Sequence, residues 1–255
     1  MTTLKAQSVL VTGANKGIGL ELVKQLINSS VPPTQILATF WQSSSTQELE
    51  TLANDHSSVR MIELDVTDSA SIQRAVERVE AILGSTGLNL LINNAGINSH
   101  ATLETITAED MMAVYQTNVV GPLLVSQAFL PLLKKAAQAL DMKEMSCKKA
   151  AIVNITSLLG SITLSQKNFR RAPMYPYRLS KAALNMASMC LSEDLKQYQI
   201  LSVAIHPGWV QTDMGGKEAL VSVSDSVSNL MKLFASLSQC DTGKFLDSEG
   251  GELPW

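Results

Sequence analysis

The sequence predicts an α/β fold, a doubly wound parallel sheet with helices on both faces. Six short apolar runs are continuous rather than alternating, as strands covered on both faces are. Helix-like stretches separate them, and a glycine-rich turn joins the first run to the first of these stretches.

The strand candidates are "SVLVT" at 8–12, "QILATF" at 35–40, "VRMIEL" at 59–64, "LNLLIN" at 88–93, "AAIVNI" at 150–155 and "ILSVAIH" at 200–206. Helices are expected at 17–28, 69–84, 118–140 and 176–197. "STQE" at 45–48 and "TAED" at 107–110 each place a hydroxyl three residues before an acid, the pattern that opens a helix. The charged stretch "DMKEMSCKK" at 141–149 reads as a solvated loop before the fifth strand. No linker or repeat divides the chain, so residues 1–255 are expected to form one domain.

Of the residues, 45% are hydrophobic and 17% charged, and the formal net charge is −3. These values exclude a disordered chain and give no basic surface for nucleic acid. Cys147, Cys190 and Cys240 have neither disulfide-framework nor zinc spacing, so no metal is expected and a reducing compartment fits. The first residues, "MTTLKAQSVLVTG", carry too short an apolar run for a signal peptide. A cytoplasmic protein with no membrane partner is the expectation.

"VTGANKGIG" at 11–19 follows the first strand and opens the first helix, with Gly13, Gly17 and Gly19 allowing a tight turn and a close approach to a pyrophosphate at the helix amino end. Its spacing, G-x-x-x-G-x-G, differs from the common dinucleotide fingerprint. It reads either as the dinucleotide-binding turn of a Rossmann-like sheet or as a structural turn, and its place between strand and helix favours the first. The second strand ends in "ATFWQSSST", without the acid that would hold a ribose 2′-hydroxyl. Lys16 offers a positive charge, and Ser43, Ser44 and Ser45 offer hydroxyls, so a ribose 2′-phosphate fits better and NADP is favoured over NAD. Trp41 could cover the adenine or fill a surface groove.

Further motifs fall at strand ends, where open α/β sheets bind ligands: "LDVTD" at 64–68, "NNAG" at 93–96 and "NITS" at 154–157. In "YRLSK", Tyr177 and Lys181 are four residues apart and share a helix face. With Thr12–Gly19 and Asn93–Gly96, these motifs make the chain resemble the short-chain dehydrogenase/reductase family over nearly its whole length. Within that family, "TGANKGIG" and "GKFLDSEGGELPW" resemble the Sniffer and C-factor-like group of carbonyl reductases.

The resemblance implies an oxidoreductase in which Tyr177 protonates a carbonyl oxygen as hydride arrives from NADPH. Lys181 would hold the nicotinamide ribose and, together with the cationic oxidised nicotinamide, would favour the phenolate. Ser157 would donate to the substrate oxygen and Asn118 would support a proton path to the lysine. Nineteen residues, Leu158 to Pro176, separate Ser157 from Tyr177, more than the family usually has, so Ser161 and Ser165 compete for that role. Cofactor contacts implied by the motif positions are Gly13, Lys16, Gly17, Ile18 and Gly19 at the phosphates, and Asp65 and Val66 at the adenine. Asn93, Ala95 and Gly96 would line the ribose, and Pro207, Gly208, Val210 and Thr212 would lie near the nicotinamide amide. His206 reads as a strand-end residue.

The segments 158–176 and 209–223 mix apolar and loop-forming residues, as a pocket wall or lid does, with Phe169, Met174, Trp209 and Met214 as lining. They imply a hydrophobic or aromatic ketone, aldehyde or quinone as the small-molecule partner, and Arg170 and Arg171 read as solvated. Two other functions stay open: an NADP(H)-binding regulatory or signalling protein, and an NAD-linked alcohol dehydrogenase. The helices at 118–140 and 176–197 commonly pair between subunits in the family, which would make a homodimer, while the insertion at 158–176 would let the protein work as a monomer. Substrate identity and product stereochemistry are not written in the sequence.

Overall fold

The computed structural model describes residues 3–42, 45–139 and 144–255. Seven parallel strands form one sheet in the order β3-β2-β1-β4-β5-β6-β7. They are β1 (Ser8–Val11), β2 (Gln35–Phe40), β3 (Val59–Glu63), β4 (Leu90–Asn93), β5 (Ala151–Ile155), β6 (Leu201–His206) and β7 (Phe245–Asp247). The six expected strands are present. β7 was not expected, since "FLD" is too short to stand out as an apolar run. The segment after β7 folds back on it, with Leu253 N–H donating to Phe245 O at 2.8 Å and Asp247 N–H to Gly251 O at 2.8 Å.

The helices are α1 (Gly17–Ile27), α2 (Gln47–Asp55), α3 (Ser69–Leu83), α4 (Ala108–Tyr115), α5 (Gly121–Ala139), α6 (Ile162–Asn168), α7 (Tyr175–Leu195) and α8 (Val223–Ser236). Thr107 caps α4 as its motif predicts, accepting from Asp110 N–H. At α2 the cap position is Thr46 rather than Ser45, and its hydroxyl bonds Glu50 instead of the backbone. The helix expected at 118–140 is the second part of a longer run, because a π turn at Gln116–Val120 links α4 to α5. This run, 108–139, is long and apolar enough to cross a membrane, but half of its apolar window is buried in the protein, as in a core helix.

Alternate residues along each strand feed two cores. Val9, Val11, Ile36, Ala38, Ile92, Val153 and Val203 pack with Leu22 and Val23 of α1 and Val227 and Leu230 of α8. Leu10, Leu37, Leu91 and Ile152 pack with Ile72 and Val79 of α3 and Phe129 and Leu133 of α5. Covering both faces is why the strands read as unbroken apolar runs. A fully buried ring such as Phe129 contributes up to about 3 kcal/mol by leaving water.

A buried polar ladder crosses the second core toward the carboxyl ends of the strands. Asn93 and Asn154 are register partners, joined by an amide hydrogen bond of 2.8 Å. Asn93 also donates to Ser126 of α5 at 3.0 Å, and Asn154 to Ser188 of α7 at 2.9 Å. Thr156 donates to Asn185 of α7 at 2.7 Å. These bonds set the positions of α5 and α7 against the sheet.

Gly84 and Gly87 both have positive φ, but a Cβ on Gly84 would meet open space while one on Gly87 would lie 2.5 Å from Ala136 N. We expect Gly84→Ala to cost about 1–3 kcal/mol from the backbone alone, since φ of 56° with ψ of −115° lies outside the regions open to L-residues. Gly87→Ala should cost at least about 2 kcal/mol more, because a helix backbone would have to move. Urea unfolding of both variants checks this.

Candidate active site

The site forms where β1 and β4 diverge in the strand order, the position at which an open α/β sheet leaves a crevice. Gly13 and Gly17 adopt φ of +64° and +54°. A Cβ on Gly13 would lie 3.0 Å from Ala95 Cα, and one on Gly19 would collide with the Gly13 carbonyl. Thr12 ties the turn to β4, its hydroxyl accepting from the N–H of Asn94 and of Ala95, each at 2.9 Å. Asn94 returns bonds to the carbonyls of Thr12 and Gly13. Lys16 occupies the cap position of α1 without a side-chain cap bond, which leaves the first N–H groups of the helix open to an anion.

On the other side of the crevice, α7 carries Tyr177 and Lys181. Lys181 is 5% exposed, and its Nζ donates to the carbonyl of Ile155 at the end of β5, 3.0 Å away. Its Nζ lies 5.6 Å from the centre of the Tyr177 ring. Asn118, in the middle of the π turn, is fully buried and grips the Ile97 peptide on both sides, accepting at 2.9 Å and donating at 2.8 Å. It also donates to Ser180. A Cβ added to Gly96 would lie 3.2 Å from Asn118 Oδ1 and 3.8 Å from Lys181 Nζ, so Asn118, Gly96 and Lys181 meet at one point.

Of the three serines, Ser157 is the one that bears on the Tyr177 phenol, lowering its pKa by a side-chain hydrogen bond, and it also accepts from Leu159 N–H at 3.2 Å. Ser161 donates to Pro254 O at 2.7 Å and accepts from Leu164 N–H, capping α6. Ser165 donates to the Ser161 carbonyl. Both later serines donate to backbone carbonyls, and Ser165 also accepts from Arg178.

In the ligand-free chain, desolvation by burial raises the Tyr177 pKa from 10.0 to about 12, against a smaller lowering by Ser157. Burial lowers Lys181 from 10.5 to about 8. Lys181 turns its Nζ to the Ile155 carbonyl, and desolvation outweighs what its charge can do for the phenol. The Tyr177 hydroxyl is therefore a protonated donor at neutral pH. His206 is neutral as well, its pKa lowered to about 4 by burial, with Asp247 acting the other way.

The remaining motif residues fall around the crevice, with differences of detail. Asn93 is 2% exposed and its amide faces the polar ladder, so only its backbone can reach a ligand. Ile18 packs partly against the first core. Asp65 accepts from Thr67 N–H and hydroxyl, closing the turn after β3, and Val66 packs 3.0 Å from where a Cβ on Gly121 would be. Pro207 O accepts from Ser226, Gly208 has φ of +93°, and Val210 pairs with Val221. Thr212 sits 3.3 Å from a Cβ placed on Gly17, so the turn after β6 touches the glycine turn. Lys16 joins the same two turns through a 3.5 Å pair with Asp213, both highly exposed and thus weakly held. Trp41 is about half exposed. Ser43 and Ser44 lie outside the described residues. The Ser45 carbonyl accepts from Asn15.

Of the expected lining, Met174 is buried and Phe169 half-buried edge-on to Tyr175, while Trp209 and Met214 are exposed on the turn after β6. Arg170 and Arg171 are exposed, as their composition implied. The segment 158–176 is more ordered than the loop expected, with two 3-10 turns flanking α6. Thr12, Asn94, Ser180 and Arg178 went unassigned in the sequence, although each adjoins a motif residue. A separate cavity of about 520 Å³, lined by Phe40, Glu50, Arg74 and Arg78 among others, shares no residue with this site.

Because the folded chain binds the Lys181 proton less tightly than the unfolded chain, stability rises with pH from about 8 toward 10.5. Tyr177 acts oppositely: its contribution is full below pH 10 and is lost as pH rises toward 12. Lys181→Met should remove the first effect. Between pH 7.5 and 9.5 the wild type should gain about 2 kcal/mol relative to the variant in urea unfolding.

The model of the short chain dehydrogenase family matches residues 7–220. The fold superposes on the NADPH-bound carbonyl reductase from chicken fatty liver with a TM-score of 0.96 and 46% identity, covering 100% of this chain and 96% of that one. For the carbonyl reductase Sniffer of D. melanogaster the TM-score is 0.93 and the identity 39%, covering 98% and 100%. C-signal of Myxococcus xanthus is 36% identical over 169 residues, 66% of this chain and 93% of its own. With a glycine turn, an asparagine in a π turn and a serine beside a tyrosine and lysine all on one edge of its sheet, the chain belongs to the short-chain dehydrogenase family of oxidoreductases.

Proposed function

We propose that this protein is an NADPH-dependent carbonyl reductase acting on hydrophobic or aromatic ketones, aldehydes or quinones. The observation that carries the reading is the pairing of Ser157 and Tyr177, a hydroxyl and a phenol that stays protonated at neutral pH, beside the buried Lys181. The same pairing has no use in a protein that only senses a nucleotide. A signalling role, which the likeness to C-signal raises, is the weaker reading for that reason.

The residues present fit the dinucleotide. Gly13, Gly17 and Gly19 leave no side chain between the backbone and a pyrophosphate, and the uncapped first turn of α1 supplies N–H donors. The end of β2 carries no acid to repel a 2′-phosphate, and Lys16, held only by an exposed pair with Asp213, can exchange that carboxylate for phosphate. In this reading Asp65 and Val66 contact the adenine, Asn93, Ala95 and Gly96 with Lys181 line the ribose, and Pro207, Gly208, Val210 and Thr212 lie near the nicotinamide amide. When bound, NADPH supplies the hydride.

The chain's own groups do the rest. Ser157 orients the carbonyl oxygen by donating a hydrogen bond, and Tyr177 donates a proton to it as negative charge develops there. Lys181 holds a ribose in orientation, and the proton that Tyr177 gives up is replaced from solvent along a water-linked path to Lys181 that Asn118 supports where it donates to the Ile97 carbonyl. Met174, Phe169, Trp209 and Met214 exclude water from the reacting oxygen and favour apolar substrates.

The test is NADPH oxidation followed at 340 nm with a panel of aromatic ketones, aldehydes and quinones, with NADH in parallel. Turnover should prefer NADPH, fall by at least about 10²-fold in Tyr177→Phe and by about 10²-fold in Ser157→Ala. Tight NADPH binding without turnover on the panel would move the weight to the signalling reading.

A further inference from the structure

Arg178 follows Tyr177 on α7, about 100° further around the helix. It is 7% exposed, and among the described residues no carboxylate lies within ion-pair distance of it. Burial works against its charge. Its partners are backbone and side-chain dipoles, and all of them lie between residues 159 and 172. Nε donates to Ala172 O at 2.6 Å, and Nη2 to Asn168 Oδ1 at 2.8 Å. Nη1 stands 3.4 Å from both Leu159 O and Ser165 Oγ. The guanidinium also faces the Phe169 ring at 5.3 Å.

That segment has little else to hold it. α6 buries no residue, nor does the turn Phe169–Arg171 that follows, and Ile162 is 76% exposed. Its other anchors are at its start: Ser161 donates to Pro254 O, and Thr163 N–H to Trp255 O at 2.9 Å. Phe169 packs edge-on against Tyr175, and beyond that half-buried ring the segment's position is set by its hydrogen bonds. The Leu159 peptide is gripped from both sides, its N–H by Ser157 and its carbonyl by Arg178. The same fork thus touches the turn on which Ser157 sits.

We infer that Arg178 is a positioning residue whose planar fork fixes the segment 159–172 beside the Tyr177–Ser157 pair and thereby sets which sizes of carbonyl compound are admitted. The second half of this inference rests on the reductase reading, and the first half does not. Lysine cannot replace the fork, since one ammonium cannot reach partners spread along Leu159, Ser165, Asn168 and Ala172.

The experiment compares wild type, Arg178→Lys and Asn168→Ala, the last removing one partner from the segment's side and leaving α7 intact. Amide hydrogen exchange should speed up by at least about 10-fold within 159–172 in Arg178→Lys, and less in Asn168→Ala, with β1 and β4 unchanged. The ratio of kcat/KM for a bulky aromatic ketone to that for a small aldehyde should shift by at least about 5-fold, mainly through KM, at unchanged NADPH affinity. Unchanged exchange in 159–172 overturns the inference. Faster exchange with an unchanged ratio, or a uniform loss of kcat on both substrates, overturns its specificity half. A wild type that reduces no carbonyl compound sinks the reductase reading, and with it the specificity half, while the exchange result still decides the role of Arg178.

Discussion

Placing the Lys181 ammonium inside the protein is the constraint on which the rest of the site depends. A buried cation needs acceptors close by, and here the acceptor is the last carbonyl of β5. α7 must therefore run tight against the strand ends. Glycine makes this approach feasible at Gly160, where a Cβ would lie 2.7 Å from the Lys181 carbonyl carbon. Thr156 reaches the Lys181 carbonyl as well as Asn185, so the helix is fixed at its backbone and not only through its side chains. Once α7 lies there, Tyr177 is held beside Ser157 and Arg178 faces the segment that borders them.

Burial moves the two titrating groups in opposite directions, and both shifts disfavour charge. The phenol keeps its proton to about pH 12, while the ammonium gives up its proton near pH 8. A resting site built this way is a neutral proton donor over an easily deprotonated amine, which suits donation to a carbonyl oxygen more than abstraction from an alcohol. The protein alone does not turn the phenol into a base. The opposing charge needed for that has to come from outside these two side chains.

The strands were legible because both their faces are covered, which leaves unbroken apolar runs, and the glycine turn was legible because only glycine tolerates φ near +60° against Ala95. β7 was not, since three residues make no pattern. The burial of the inner face of α7 was not legible. Lys181, Asn185, Ser188 and Ser192 recur at helical spacing and are all buried, but a polar stripe carries no apolar signal. Their partners, Ile155, Thr156, Asn154 and the Met189 carbonyl, come mostly from distant strands and cannot be seen from the helix alone. The expected loop at 158–176 became helical because Ser161 caps α6, a local signal, while what secures it is Arg178 and the segment at 254–255, which are not local. The burial that raises the Tyr177 pKa in the ligand-free chain was not legible either, because spacing tells which groups are neighbours but not how well each is solvated.

The phenol is where the account is most exposed. Labelling tyrosine at Cζ with ¹³C, assigning Tyr177 by comparison with Tyr177→Phe, and titrating the ligand-free protein from pH 8 to 11 reads its protonation directly. The account predicts that the Tyr177 resonance holds its protonated position throughout that range, since its pKa lies near 12. A midpoint below 10 would contradict it and mean that the Lys181 charge, not burial, governs the phenol.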